Sequence, residues 1–166
     1  MNVVINNFEQ LIKLKMQNNK YLDILDDVGG IFKKHQQTGN LEEAGGILIG
    51  YVHRIYKSVV IEKATEPQKE DKRTFLGFLR KSKYHIEAVK IAKRTNSGYI
   101  GNWHTHPCDV PNPSITDYSS WKKSLDKESS TCGSLFFIIV GRNGYRVWEG
   151  NIKTKEIIEI FEKIKI

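Results

Sequence analysis

A chain of 166 residues has the size of one domain able to bury a real core, and 39% hydrophobic with 27% charged residues is an ordinary soluble composition. No apolar run approaches the roughly 20 residues of a membrane-spanning helix, and the start Met1-Asn2-Val3-Val4-Ile5 lacks the basic and then long apolar character of a secretory leader, so a cytoplasmic location without a membrane partner is expected. The formal net charge of +7 comes from scattered Lys and Arg, such as Lys33-Lys34 and Lys122-Lys123, which reads as solvated surface or attraction to an acidic partner; no aromatic–basic interleaving or motif supports nucleic acid.

In chain order, Val3-Val4-Ile5 and Leu11-Ile12-Lys13-Leu14 suggest a short initial strand or strand pair. From Lys20 to about Gln37, Leu22, Leu25, Val28, Ile31 and Phe32 recur at helical spacing, and Thr38-Gly39-Asn40 ends the pattern. The glycine-bounded apolar run from Gly46 to Tyr51 predicts a buried strand, with Ile55 to Lys63 as the next. Residues 64–74 are polar and read as a loop, Phe75 to Leu79 as a short strand, and Lys81 to Thr95 as an amphipathic helix closed by Asn96-Ser97-Gly98. Tyr99 to His106 reads as a strand with Tyr99, Gly101, Trp103 and Thr105 on one face and Ile100, Asn102, His104 and His106 on the other. Pro107, Pro111 and Pro113 stiffen the next loop, and Ser114 to about Asp126 is a helix. Ser134 to Val140 predicts a central strand, Gly141-Arg142-Asn143-Gly144 a hairpin turn, and Tyr145 to Glu149 its partner strand. Residues 154–166 fit a helix or a strand equally. The sum is an α/β (α+β) chain: a mixed sheet with two or three helices.

The chemistry concentrates in His104-Thr105-His106, Ser114 and Asp117, which read H-x-H-x7-S-x2-D. Five histidines in a chain of this length give about 0.15 H-x-H pairs by chance, so the added Ser and Asp at fixed offsets carry the signal. Two imidazoles two residues apart on a strand share a face, and a carboxylate one loop later can close on the same point. Two nitrogens and one oxygen with a position left for water describe a catalytic zinc site. Zinc held by His104, His106 and Asp117 lowers the pKa of its water from about 15.7 to nearer 7, while an amide still needs a base for the water's proton and an acid for the departing amine. Ser114 can donate to the oxyanion of the tetrahedral intermediate; Ser114 and Asp117 also form a helix-start signature, and the two readings are compatible. Cys108 lies near His106, but the ligand set is complete without it, and Cys108 and Cys132 are expected as free thiols. Trp103 and Trp121 read as core residues before groove linings, and His35, His53 and His85 as surface or satisfied core histidines.

At these positions the chain resembles the JAMM (MPN-plus) metalloprotease family, which carries H-[ST]-H-x7-S-x2-D and an upstream Glu. Glu43-Ala44-Gly45-Gly46-Ile47-Leu48-Ile49-Gly50 is similar to the family's E-x-G-G-x-L-x-G segment, and that register selects Glu43 over Glu42. Trp103-His104-Thr105-His106-Pro107, with Thr65, Pro67, Asp71 and Arg73 before it, resembles the prokaryotic JAB branch. The resemblance runs from about residue 40 to about 150, with no motif in the first 40 residues, and implies a cytidine-deaminase-like MPN fold, a curved and mostly antiparallel sheet flanked by helices; with the chain length it gives one domain over 1–166, an N-terminal strand and helix to 40, a catalytic core over 41–150 and a C-terminal element over 151–166. It gives Glu43 the role of proton shuttle; without it, Glu43 would read as a surface residue at a strand start. It implies one Zn2+ per chain and an isopeptidase that removes a ubiquitin-like or C-terminally conjugated protein, with activating-like and conjugating-like enzymes in the same pathway. In the antiphage system CBASS that protein is a cGAS-like nucleotidyltransferase. Its tail would enter as an added strand along the strand bearing His104. The alternatives are a metal-free scaffold and a DNA-associated JAB-like domain.

Overall fold

The computed structural model describes residues 4–130 and 132–163. Period-two burial sets the first hairpin: β1 (Ile12–Lys15) buries Ile12 and Leu14, and β2 (Tyr21–Ile24), antiparallel to it, buries Leu22 and Ile24. The helix expected from Lys20 therefore begins only with α1 (Asp26–Lys34), where Val28 and Phe32 are buried one turn apart. Leu22 fits both periods; what decides for strand is the parallel pairing of β2 with β4 (Val59–Ala64). Ile5 makes only an isolated bridge to Tyr145, and Val3 lies outside the described residues.

The strand β3 (Gly45–Val52) is antiparallel to β4 and to β7 (Gly98–Thr105). β4 starts at Val59, not at Ile55, because His53 Nδ1 accepts the Ile55 and Tyr56 N–H groups (both 3.2 Å) and turns that segment out of the sheet. The segment expected as loop over 64–74 ends in β5 (Lys72–Thr74), which forms a separate hairpin with β6 (Gly77–Leu79). Next come α2 (Tyr84–Lys93) and, after β7, α3 (Ile115–Lys127). β8 (Ser134–Val140) is parallel to β7, and β9 (Tyr145–Asn151) and β10 (Ile157–Ile160) follow antiparallel, which makes the middle of the ambiguous C-terminal segment a strand, while its last three residues, 164–166, lie outside the described residues.

The eight-stranded sheet runs β1-β2-β4-β3-β7-β8-β9-β10. It nearly closes on itself: the Lys15 N–H donates to the Phe161 carbonyl (3.2 Å) and the Lys163 N–H to the Lys13 carbonyl (2.9 Å). This is a mixed α/β fold with a large, mostly antiparallel sheet and three helices among the described residues. The larger core, with Phe32, Leu48, Trp103, Phe136 and Tyr145, lies on the α1 side. Leu135, Phe137 and Ile139 alternate to the other face and pack with Trp121 and Leu125 of α3, while Ile47 and Ile49 pack with Ala88 of α2. No helix among the described residues is long and apolar enough to cross a membrane.

One irregularity sets the aim of β7. Its register against β3 shifts between Leu48, opposite Gly101, and Ile49, opposite Tyr99. Ile100 is the extra residue, so strict alternation fails there: Ile100 and Trp103 both enter the larger core, while Tyr99 packs on the α2 and α3 side. Gly101 has φ +145° and passes so close to the Phe136 carbonyl that a Cβ would sit 1.8 Å from its oxygen.

Candidate metal centre

Three segments bring the site together. His104 lies near the end of β7; His106 follows it and is held by its N–H to the Val140 carbonyl (2.9 Å). Asp117 lies in the first turn of α3, fixed by a reciprocal cap: its N–H donates to Ser114 Oγ (3.0 Å), and the Ser114 N–H donates to Asp117 Oδ2 (2.8 Å). The His104 and His106 Nε2 atoms are 3.1 Å apart, and they lie 3.1 and 3.3 Å from Asp117 Oδ1 and Oδ2. Glu43, buried just before β3, brings a carboxylate oxygen within 4.8 Å of both histidine nitrogens.

The backbone around Glu43 is tied on both sides. Toward the sheet, the Thr105 N–H donates to the Ala44 carbonyl (2.9 Å), the Ala44 N–H to Thr105 Oγ1 (2.9 Å), and that hydroxyl to Gln37 Oε1 (2.8 Å). Toward the β5–β6 hairpin, the Glu43 N–H donates to the Thr74 carbonyl (2.7 Å) and Arg73 Nε to the Glu43 carbonyl (2.9 Å). Gly45 lets the hairpin close down: a Cβ there would meet the Phe78 ring at 2.7 Å. In the sequence Gln37 marks only the end of a helical pattern, and its type offers no signal for a fully buried strut that also donates to the Leu41 and Phe75 carbonyls.

Electrostatics separates the two carboxylates. Burial raises the Glu43 pKa above the ordinary value, against the pull of His104 and His106. Burial also pushes Asp117 upward, but hydrogen bonds from both imidazoles and from the Ser114 N–H outweigh it and hold that carboxyl well below its usual range. The donor set suits a divalent metal ion. Ligands about 2.0–2.1 Å from a tetrahedral ion lie about 3.3 Å apart, close to the 3.1 Å between the two imidazole nitrogens, and each nitrogen has a different Asp117 oxygen at a similar distance (3.1 and 3.3 Å). Cys108 stays out of this set, its Sγ turned to the Val110 carbonyl (3.6 Å), and neither Cys108 nor Cys132 is in a disulfide. Trp103 is a core residue, 1% exposed, with Nε1 donating to the Thr65 carbonyl (2.9 Å). Trp121 stacks on Phe137 (11° between the rings). His35 bonds Glu66, and His85 is fully satisfied in the interior.

A groove leads away from the site between β6 and α3, past Phe78, Arg80, Asn102, Ser120 and Ser124. A tail cannot pair with β7 as an added strand, because β7 is hydrogen-bonded to β3 on one side and β8 on the other, although the groove does run past its Asn102, Trp103 and His104. Among the described residues, the unpaired strand edge at the groove belongs to β6, which pairs with β5 alone.

Residues 28–151 match the family of prokaryotic homologs of the JAB domain. The chain belongs to that family. It is similar to three proteins named CD-NTase/cGAS isopeptidase: 39% identical over 117 residues to one from Pseudomonas aeruginosa (68% of this chain, 72% of the relative) and 35% over 126 residues to one from Vibrio cholerae (74% and 75%). The third, from Escherichia coli, is 30% identical over 162 residues (95% and 98%). A solution structure of a Desulfitobacterium hafniense protein superposes with a TM-score of 0.56 at 18% identity, covering 86% of this chain and 90% of that one, which shows a shared fold.

Proposed function

We propose that this protein is a zinc-dependent isopeptidase that releases a C-terminally conjugated protein from its target. The observation that carries the reading is the convergence of Glu43, His104, His106 and Asp117 at the head of a groove, with both carboxylates tuned in opposite directions. His104, His106 and Asp117 would hold the ion. A bound zinc supplies Lewis acidity toward a carbonyl oxygen and eases deprotonation of a coordinated water.

The remaining work falls to the chain's own residues. The Glu43 carboxylate takes the proton of the attacking water as the bond to the carbonyl carbon forms, and its raised pKa brings it nearer the working pH. The same carboxyl then gives the proton to the departing amine as the C–N bond breaks. Ser114 Oγ already accepts the Asp117 N–H, which leaves its own proton to donate to the developing oxyanion. An extended tail in the groove can form main-chain hydrogen bonds with the free edge of β6.

The names of the relatives support a CD-NTase/cGAS-like protein as the conjugated partner; activating-like and conjugating-like enzymes in a cytoplasmic pathway belong to the proposal through the family resemblance alone. A metal-free scaffold would have no use for a complete ligand set. The DNA-associated alternative has the net charge and the family resemblance behind it, and no feature of the site supports it. The test is cleavage of fusions carrying a conjugated C-terminal tail beside casein at equal enzyme concentration, with metal analysis of the same preparation. About one zinc per chain, single-site cleavage of the fusion and little casein digestion are expected, and Glu43→Gln should keep the zinc while losing turnover by about 10²–10⁴-fold. Scattered, efficient casein cleavage would make it a general peptidase, and a metal-free active protein would end the zinc reading.

A further inference from the structure

The groove does not stop at Ser124. Beyond it lies a hollow of about 260 Å³ between α2 and the end of α3. Its apolar lining comes from Ile47, Val89 and Tyr99, and its cations are Arg80, Lys90 and Lys93. Arg80 lines both spaces and so joins them. Its guanidinium bonds the neutral Asn102 (2.7 Å). Lys90 meets only the exposed Glu87 at 3.2 Å, and Lys93 has no carboxylate within 4.0 Å among the described residues. Glu128 is the one acidic residue of the lining and pairs with none of these cations. Ile86 stands beside them at 61% exposure.

Resting on the isopeptidase reading above, we infer that this hollow binds an acidic residue flanked by an apolar one in the substrate's C-terminal tail, about five residues before the cleaved bond. The distance follows from α3. The helix carries Asp117 at the metal site and ends at Lys127, beside Glu128 of the hollow. Ten residues at ~1.5 Å rise make ~15 Å, the span of about five extended residues at ~3.3 Å each. A trough of this length, flanked by α3 and by β6 with its open edge, suits a single extended strand. The target side of an isopeptide bond offers instead a lysine side chain on a folded surface, so the occupant is the tail. The apolar floor takes the apolar side chain out of water, and the three cations face a carboxylate.

The probe is a pool of eight-residue random tails, each joined through its C-terminus to the Lys ε-amine of a reporter peptide. Released tails are sequenced after partial digestion by the zinc-loaded wild type and by Lys90→Glu/Lys93→Glu, two exposed helix positions where folding is checked by far-UV circular dichroism. The wild type should enrich Asp or Glu four to six residues before the cut by roughly five- to tenfold, the effect of several partly exposed ion pairs. The double variant should lose that enrichment or turn it toward Lys and Arg. For single tails, removing the acidic residue should raise KM more than it lowers kcat. Cleavage without acidic enrichment, or the same enrichment in both proteins, overturns this inference and leaves the isopeptidase reading standing. A pool that the wild type never cleaves overturns both.

Discussion

Among the described residues, two aspartate–histidine clusters differ in one respect: one is closed by its own hydrogen bonds and the other is open to a ligand. In the closed cluster, His85 Nε2 donates to Asp71 Oδ2 (2.8 Å), and the Thr65 hydroxyl donates to His85 Nδ1 (2.6 Å) while accepting the Ile47 N–H (2.9 Å). Asp71 Oδ1 takes the Lys81 and Ser82 N–H groups (2.7 and 2.8 Å). Carboxylate, imidazole and hydroxyl are in the order that nucleophilic catalysis uses. Yet Thr65 is 0% and His85 1% exposed, and every polar atom already has a partner. The cluster fastens the base of the β5–β6 hairpin to β3 and β4. In the open cluster, two imidazole nitrogens and a carboxylate point at one spot at the head of a groove. Residue types are the same; enclosure and completeness of hydrogen bonding decide between scaffold and site.

Crossing the two histidines breaks this contrast most sharply. His104→Ala should lose bound metal and at least about a thousandfold of turnover, with little loss of thermal stability in the metal-free protein. His85→Ala leaves the buried Asp71 carboxylate without its imidazole and should cost about 3–5 kcal/mol of stability, with metal binding per folded chain retained. Elemental analysis and urea unfolding of both variants decide it. Loss of metal from His85→Ala at full folding would mean that the closed cluster shapes the metal site.

The next effect is in acid. Burial works to raise the Asp71 pKa, but the Ser82, Gln68 and Lys81 N–H groups and His85 outweigh it and bring it from 3.8 to about 2. A carboxyl depressed in the folded state stabilises it at every pH above its unfolded value near 3.9, and that contribution fades as pH falls through about 2. Asp71→Asn should therefore cost about 2 kcal/mol at pH 7, with the gap to wild type closing between pH 4 and pH 2. Urea unfolding at pH 7, 4 and 2.5 measures it; a constant gap would assign the cost to packing rather than charge.

What was legible in the sequence follows the same division. His104, His106, Ser114 and Asp117 announce themselves because they are polar, close in sequence and held by a strand and a capped helix whose periods are plain. The central strands were legible because burial on both faces needs unbroken apolar runs, as in Ser134–Val140. The failures are where a distant partner decides. Tyr21–Ile24 is a strand because Val59–Ile61 pairs with it. Gln37 holds the Leu41 and Phe75 carbonyls and Arg73 the Glu43 carbonyl, and backbone carbonyls carry no side-chain signal. The flip at Ile100 needs the Phe136 carbonyl against Gly101, and no local pattern reports that approach.

The smallest expected effect is the one that most sharpens the register. Glu42 and Glu43 are adjacent carboxylates, and the motif alone chose between them. Glu43 is 7% exposed and faces His104 and His106, whereas Glu42 is exposed, and Arg73 Nη2 donates to its backbone carbonyl (3.2 Å). Glu42→Gln keeps that carbonyl and changes only a solvated side chain. Stability should stay within about 0.5 kcal/mol of wild type and turnover within about twofold, with zinc content unchanged. The comparison is with Glu43→Gln under the same assay, since both changes remove one charge and alter the net charge equally. A dead Glu42→Gln beside an active Glu43→Gln would place the proton shuttle one residue earlier and undo the assignment of the buried carboxylate.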